Sequence, residues 1–311
     1  MTTETQSSPQ TQSPATSWTL AAELPDVRLS IELFPPKWPA GAMALLEEID
    51  VLEALGPAHY TVTSGAGGNG NTETRNVVEA VREHTGRAVA AHMTCIGRSR
   101  AEIDAVADDY WQAGIRHVVA LRGDLPKGSE GPYAPRADGY AYASDLVAGL
   151  KARHGFEVSV GCYPETHPEA ASADADLDNV ARKVDAGADW LISQYCFDTD
   201  QILRFRDSLA ARGITTPFVP GIMPIHNFTQ IRRFSERCGA GVPGWLVKLF
   251  DGVEPGSDLH KMVAATVASE QCRRLVAEGF GQLHLYALNR AELSVAVFRL
   301  LGGRPALSLA A

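Results

Sequence analysis

"AVAAHMTCIGRSRAEIDAVADDYWQAGIRHVVALRG", residues 88–123, decides the fold. Two short apolar runs, 88–95 and 117–123, flank one helical stretch. Ser99 and Glu102 stand at capping-box spacing and open a helix, and Gly114 closes it. Both apolar runs are nearly continuous rather than alternating, as expected of parallel strands buried on both faces. The stretch reads as strand, crossover helix, parallel strand.

The same unit recurs on either side. Further strand candidates are "RLSIELF" (28–34), "HYTVTS" (59–64), "EVSVGCY" (157–163), "WLISQYCF" (190–197), "PFVPGIM" (217–223) and "LHLYAL" (283–288). Helical patterns fill the gaps with readable ends. "DTDQILRFRDSLAARG" starts at Asp198 or Asp200 and stops at Gly213. "NFTQIRRFSERCG" runs from Asn227 to Gly239, and "SDLHKMVAATVASEQCRRLVAEG" from Ser257 to Gly279. "AELSVAVFRLLGG" closes the series. Eight strand–helix alternations without a break in composition predict an α/β fold, a (β/α)8 TIM barrel. An open doubly wound sheet is the alternative. Two pieces are irregular: a Gly/Pro-rich loop over 124–141, and extra helical material over 240–280 before the eighth strand.

Bulk properties narrow the function. The chain has 311 residues, 45% of them hydrophobic, and a net charge of −9. That is enough apolar content for a large core. An acidic chain without a dense Lys/Arg stripe argues against nucleic acid and anionic membrane as partners. No apolar run is long enough to cross a bilayer. Residues 1–22, rich in Thr, Ser, Gln and Pro, lack the regions of a secretory signal and read as a disordered tail. Residues 23–311 are expected to form one catalytic domain. The five cysteines are scattered without a C-x-x-C pair, which fits reduced thiols in a cytoplasmic protein and no metal site.

A barrel brings catalytic groups to the C-terminal ends of its strands. Standing there are Glu32, Thr63, His92, Arg122, Gly123 and Asp124, then Tyr163, Glu165 and His167. Gln194 follows the sixth run, Asn227 and Gln230 the seventh, and Tyr286, Asn289 and Arg290 the eighth. Singly, each has an ordinary structural explanation; a strand histidine is usually a satisfied core residue. Converged on one mouth, they make a polar pocket for a large polar ligand. Glu32 is conspicuous because it sits inside an apolar strand that Pro35 and Pro36 terminate.

"GAGGNG" (65–70) matches G-x-G-x-x-G between a strand and a helix. A dinucleotide-binding turn would also need an acidic residue at the end of the next strand, and "HMTCIG" has none. A flexible loop kept small for the approach of a flat ligand is the other reading. The sequence has no nucleophile elbow, Walker A loop or H-E-x-x-H.

The blocks "SIELFPPK", "VTSGAGG", "HMTC", "RHVVALRGDLP", "YASDLV", "YPETHPEA", "KVDAGADWLISQYCFD", "PGIMP", "FDG" and "LYALNRAE" run in order along nearly all the chain after the tail. Together they resemble methylenetetrahydrofolate reductase of the short bacterial type. "LRGD" alone is weak; "YPETHPEA" with "RHVVALRGDLP" is highly specific. Two positions depart from the common pattern: Leu33 precedes Phe34 where two aromatics are usual, and Ser64 replaces a common tyrosine.

The resemblance implies a barrel with non-covalent FAD at its mouth and a ping-pong reaction. NADH or NADPH reduces the flavin and leaves. 5,10-methylenetetrahydrofolate then takes its place and is reduced to 5-methyltetrahydrofolate. It implies Glu32 as general acid and Asp124 beside the flavin pyrimidine and the pterin. For FAD it carries over Thr63, Ala66, His92, Arg122, Gly123, Asp124, Tyr142, Ala143, Tyr163, His167, Asp176, Asn179, Arg182 and Lys183. For substrate it carries over Gln194, Gln230, Phe234, Tyr286 and Arg290. Family members form dimers and tetramers, so a homo-oligomer is expected. Two competing readings are a proline-dehydrogenase-like FAD barrel and a non-catalytic flavin- or pterin-binding barrel.

Overall fold

The computed structural model describes residues 27–302, apart from 38, 39, 65–69, 126, 127 and 129–132. The expected tail, the "GAGGNG" glycines before Gly70, and Ala66 therefore lie outside the described residues. Within them the chain alternates strand and helix. The order is β1 (Arg28–Leu33), α1 (Ala42–Glu53), β2 (His59–Val62), α2 (Gly70–Thr85), β3 (Ala88–Thr94), α3 (Arg100–Gln112), β4 (His117–Leu121) and α4 (Ala143–Arg153). It continues with β5 (Glu157–Cys162), α5 (Ala173–Asp185), β6 (Trp190–Ser193) and α6 (Thr199–Ala211). Then come β7 (Phe218–Val219), β8 (Gly221–Ile222), α7 (Phe228–Cys238), α8 (Gly244–Leu249), α9 (Asp258–Ala277), β9 (Gln282–Tyr286) and α10 (Ala291–Leu300).

All the strand pairs are parallel, in the order β7-β6-β5-β4-β3-β2-β1-β9-β8. β7 and β8 are the two halves of the seventh run. Phe218 and Val219 pair with β6, whereas Gly221 and Ile222 pair with β9. Pro220 between them has no N–H to give to a ladder, so the strand breaks there and hands over from one neighbour to the other. The Pro220 carbonyl accepts from His284 N (2.9 Å), and Gly221 N donates to Ser193 Oγ (2.8 Å). A side chain at Gly221 would meet the Ser193 carbonyl at 2.4 Å. The expected eight-stranded barrel is thus nearly closed, with its seventh strand in two pieces.

Strand periodicity sorts the side chains into two faces. Leu29, Ile31 and Leu33 of β1 are buried in the large core between sheet and helices, beside Leu45, Ile49 and Leu52 of α1. The alternate residues Ser30 and Glu32 face the lumen. The lumen has a small apolar plug of Ala90, Val119 and Ile192 backed by Leu121. Its other side chains include four histidines: His59, His92, His117 and His284.

Helix ends follow the sequence signals. Ser99 Oγ accepts from Glu102 N (3.3 Å) while the Glu102 carboxylate accepts from Ser99 N (2.8 Å), completing the capping box. Asp198, Asn227 and Ser257 cap α6, α7 and α9 with their side chains alone, each accepting from backbone N–H groups of the first turn. Such caps contribute about 1 kcal/mol each. The helical segment expected to be extra is resolved into parts. α9 packs against both α6 and α10 and completes the outer ring. α7 and α8 pack in a second core of Tyr195, Met223, Ile225, Ile231, Leu246 and Phe250 that also takes in Ala264 and Ala265 of α9.

Candidate active site

The C-terminal strand ends form one rim, and Glu32 occupies its β1 position. The Glu32 side chain is 21% exposed, and its Oε2 lies 3.5 Å from His92 Nε2 and 3.7 Å from His284 Nε2. His92 is fully enclosed; burial, with the charge of His284 opposing and that of Glu32 only partly compensating, lowers its pKa to about 4. The imidazole is therefore neutral at neutral pH. His284 Nδ1 is tied to Ser30 Oγ at 2.8 Å. The edge of its ring meets Tyr286, whose hydroxyl donates to the Ser193 carbonyl (2.6 Å). Sequence reasoning placed His92 and Tyr286 at the mouth but missed His284. The alternation in "LHLYAL" carried the signal: Leu283 and Leu285 face the helices, so His284 and Tyr286 share the lumen face.

β4, β5 and α5 form one wall. Arg122 pairs with the Glu169 carboxylate and lies over the Tyr133 ring at 4.8 Å. Tyr133 meets the exposed Tyr142 ring edge-on at 5.6 Å, so a cation and two aromatics are grouped beside the rim. Tyr142 is the N-cap residue of α4, and Ala143 is its buried first residue. Gly123 has φ +91 and follows the strand end directly. Asp124 is exposed next to it.

Tyr163 packs on His167 (centroids 4.6 Å), and His167 N donates to the buried Asp176 carboxylate (2.9 Å). Asp176, Asn179 and Lys183 share one face of α5 by their spacing. Lys183 Nζ donates to the Gly161 carbonyl (2.9 Å), and burial pulls its pKa down. Arg182 is exposed, and its charge reaches Lys183. The sequence signal did not single out Tyr133 or Glu169, which are partners of Arg122 and come from loops of no regular pattern.

β6, α7 and β9 form the opposite wall. Gln194 N donates to the Cys162 carbonyl (2.8 Å), and its side-chain oxygen accepts from Tyr195 N (3.0 Å). Gln194 thereby links the two walls. Gln230 and Phe234 are one helical turn apart on α7 and face the same way. Phe234 is 41% exposed and lies nearly parallel to Tyr195 (centroids 6.1 Å, 20°). Arg290 is exposed at the start of α10. Thr63 N donates to the Leu33 carbonyl (2.9 Å), joining the ends of β1 and β2. Asn289, in the left-handed region at φ 53, accepts from Phe34 N (3.0 Å) and donates to its carbonyl (2.8 Å). That two-point clamp fixes the loop after Glu32 to the loop before Arg290.

The family model for methylenetetrahydrofolate reductase matches residues 20–302. The chain belongs to the methylenetetrahydrofolate reductase family. It is 42% identical over 296 residues to 5,10-methylenetetrahydrofolate reductase of Escherichia coli (strain K12), covering 95% of this chain and 98% of that one. It is 43% identical over 279 residues to the enzyme of Pectobacterium carotovorum subsp. carotovorum, covering 90% and 91%. Among solved structures, a protein from Clostridium thermocellum described as binding two copies of 5-methyl-5,6,7,8-tetrahydrofolic acid aligns with a TM-score of 0.61. It covers 89% of this chain and 95% of its own at 11% identity, a likeness of fold alone. Of the residues expected at the site, Ala66 lies outside the described residues. No helix among the described residues is long and apolar enough to cross a membrane.

Proposed function

We propose that this chain reduces 5,10-methylenetetrahydrofolate to 5-methyltetrahydrofolate with electrons from NAD(P)H, using non-covalently bound FAD. The observation that carries the reading is the family match over the whole barrel, with Glu32 set at its mouth. NADH is the reductant of choice; a Zea mays relative, 33% identical over 284 residues, is named for NADH.

The donor set suits FAD. Burial disfavours the Lys183 ammonium, so a diphosphate beside it would restore the charge's partner. Arg182 adds a second cation on α5, and Asp176 and Asn179 offer polar contacts to a sugar. His167, Thr63 and the Arg122–Gly123–Asp124 turn border the flat part of the site, and Tyr142 with Ala143 its far end. FAD, when bound, supplies the two-electron store that couples the reductant to the folate.

The chain's own residues do the remaining work. Protonation of folate N10 breaks its bond to the bridging methylene and opens the five-membered ring, leaving an N5 iminium whose methylene carbon accepts the hydride while the π pair returns to N5. Glu32 is the group placed to give that proton. The His92 imidazole beside it, kept neutral by burial, does not lock it into an ion pair. Asp124 accepts from the pterin's donors. Gln194, shared between the two walls, contacts nicotinamide and folate in turn. Gln230 and Tyr286 line the same space, Phe234 offers its face to a flat ring, and Arg290 suits a glutamate carboxylate. Use of one space by both substrates makes the reaction ping-pong.

The test is spectroscopic. Purified protein should be yellow with FAD, bleach when NADH is added without oxygen, and regain colour with methylenetetrahydrofolate. Colourless protein, or colour that NADH does not remove, contradicts the reading.

A further inference from the structure

Below Glu32 the lumen is polar to an extent that packing does not require. Ser30, Thr61, His117, Ser159 and His284 are all buried there, and His59 sits half-buried at the lower end. They are contiguous. Glu32 Oε2 faces His284 Nε2 at 3.7 Å, and the other ring nitrogen of His284 is 2.8 Å from Ser30 Oγ. Ser30 is the cross-strand partner of His59 in the β1–β2 register. The His59 ring lies 5.2 Å from that of His117, and His117 Nε2 is 2.7 Å from Ser159 Oγ.

Three atoms in this column, His59 Nε2, Thr61 Oγ1 and His92 Nε2, are buried without a hydrogen-bond partner. Thr61 and His59 share one face of β2. Thr61 stands beside Ala90 in the β2–β3 register, one same-face step below His92. Buried polar atoms grouped in this way are the setting in which internal water makes its two to four bonds. Burial holds His59, His92 and His117 neutral. A neutral imidazole accepts a proton at one nitrogen and releases one from the other.

We propose that this column is a hydrated proton route that recharges Glu32 from the lower end of the barrel. The inference rests on the proposed role of Glu32 as proton donor. Flat ligands stacked on the mouth cover Glu32 from above, and each turnover leaves it as a carboxylate. One proton enters from solvent at His59, passes by way of water to Ser30 Oγ and then to His284 Nδ1. The proton on His284 Nε2 goes to Glu32, so one proton is taken from bulk for each one given to N10. Ser30, His59 and His284 are positioning residues: they act through Glu32 and touch no substrate. His117 and Ser159 form a side branch that orients His59.

The experiment uses the FAD-loaded protein and compares wild type with Ser30→Ala, Ser30→Thr and His59→Gln. Bleaching by NADH should be unchanged in all three. Reoxidation by methylenetetrahydrofolate should slow by about 10-fold or more in Ser30→Ala and His59→Gln, with a larger solvent deuterium isotope effect, and recover in Ser30→Thr, which keeps the hydroxyl. A second readout needs no folate. In protein labelled with 15N at histidine, exchange of the His284 ring proton with solvent should slow in Ser30→Ala and His59→Gln alike. Unchanged exchange and unchanged reoxidation overturn the route, and so does equal slowing of bleaching and reoxidation, which marks a merely structural role. A wild-type protein that bleaches with NADH yet reduces no folate overturns the functional reading instead, while the exchange measurement still decides the route.

Discussion

Glu32 Oε2 and His92 Nε2 stand 3.5 Å apart at the barrel mouth, and His92 is too deeply buried to carry a charge at neutral pH. A charged imidazole at that distance would hold Glu32 as a carboxylate. A neutral one forms no ion pair with it. The apolar strand around Glu32 serves the same end: Ile31 and Leu33 anchor β1 among the helices, so the one carboxyl of that strand cannot turn away from the lumen.

Buried neutral histidines make the fold sensitive to acid. Burial lowers His59 to about 3 and His92, His117 and His226 to about 4, against an ordinary value of 6.5. Between those limits the unfolded chain binds protons that the folded chain refuses, so stability is full above pH ~6.5 and falls as pH drops toward 4. Each such histidine contributes a slope of about 1.4 kcal/mol per pH unit inside that window. Urea midpoints measured from pH 7.5 down to 5 should decline, and less steeply in His117→Gln. A wild-type midpoint that stays level over that range contradicts the assignment.

Gly123 is required by both backbone and space. Its φ is +91, and an added Cβ would meet Ile96 Cγ2 at 2.7 Å and Thr94 Cβ at 3.0 Å. Gly123→Ala is expected to destabilise by about 1–3 kcal/mol. It should also lower the fraction of FAD that copurifies, because the turn carries Arg122 and Asp124. Thermal melts and flavin-to-protein absorbance check both; a variant with wild-type values in each removes the turn from the account.

Phe234 separates binding from stability. Its ring is exposed and rests on Tyr195 by one face. Phe234→Ala should change stability by no more than ~0.5 kcal/mol, as for other surface positions. If the ring stacks on substrate, KM should rise by between about 2- and 10-fold, the range of an aromatic contact. Steady-state kinetics beside a melt decide it, and a large loss of stability with unchanged KM marks Phe234 as packing alone.

Strand periods and helix caps were enough to read the barrel, because each apolar run must bury both faces and each capping residue leaves a local mark. The break at Pro220 was visible in "PFVPGIM", but its consequence was not: that two halves of one strand pair with different neighbours depends on closure of the whole sheet. The extra helical material before the last strand was legible, but the packing of α9 against α6 and α10 was not, since it depends on contacts across the chain. At the site, Glu32 and His92 were legible from their places on strands, whereas Lys183 came only from the family resemblance. Tyr133, Glu169 and Asn289 were not assigned roles, since they act from loops through contacts across the chain. His284 was legible in principle but resembled an ordinary core histidine until Ser30 and Glu32 appeared on its two nitrogens.

The most direct measurement is a stopped-flow comparison of wild type and Glu32→Gln in both half-reactions. Glutamine keeps the shape at the mouth and removes the proton. The account predicts that NADH bleaches the variant's flavin at the wild-type rate, while reoxidation by methylenetetrahydrofolate falls by about 100-fold or more, as for loss of a general acid. Reoxidation at the wild-type rate in Glu32→Gln would contradict it.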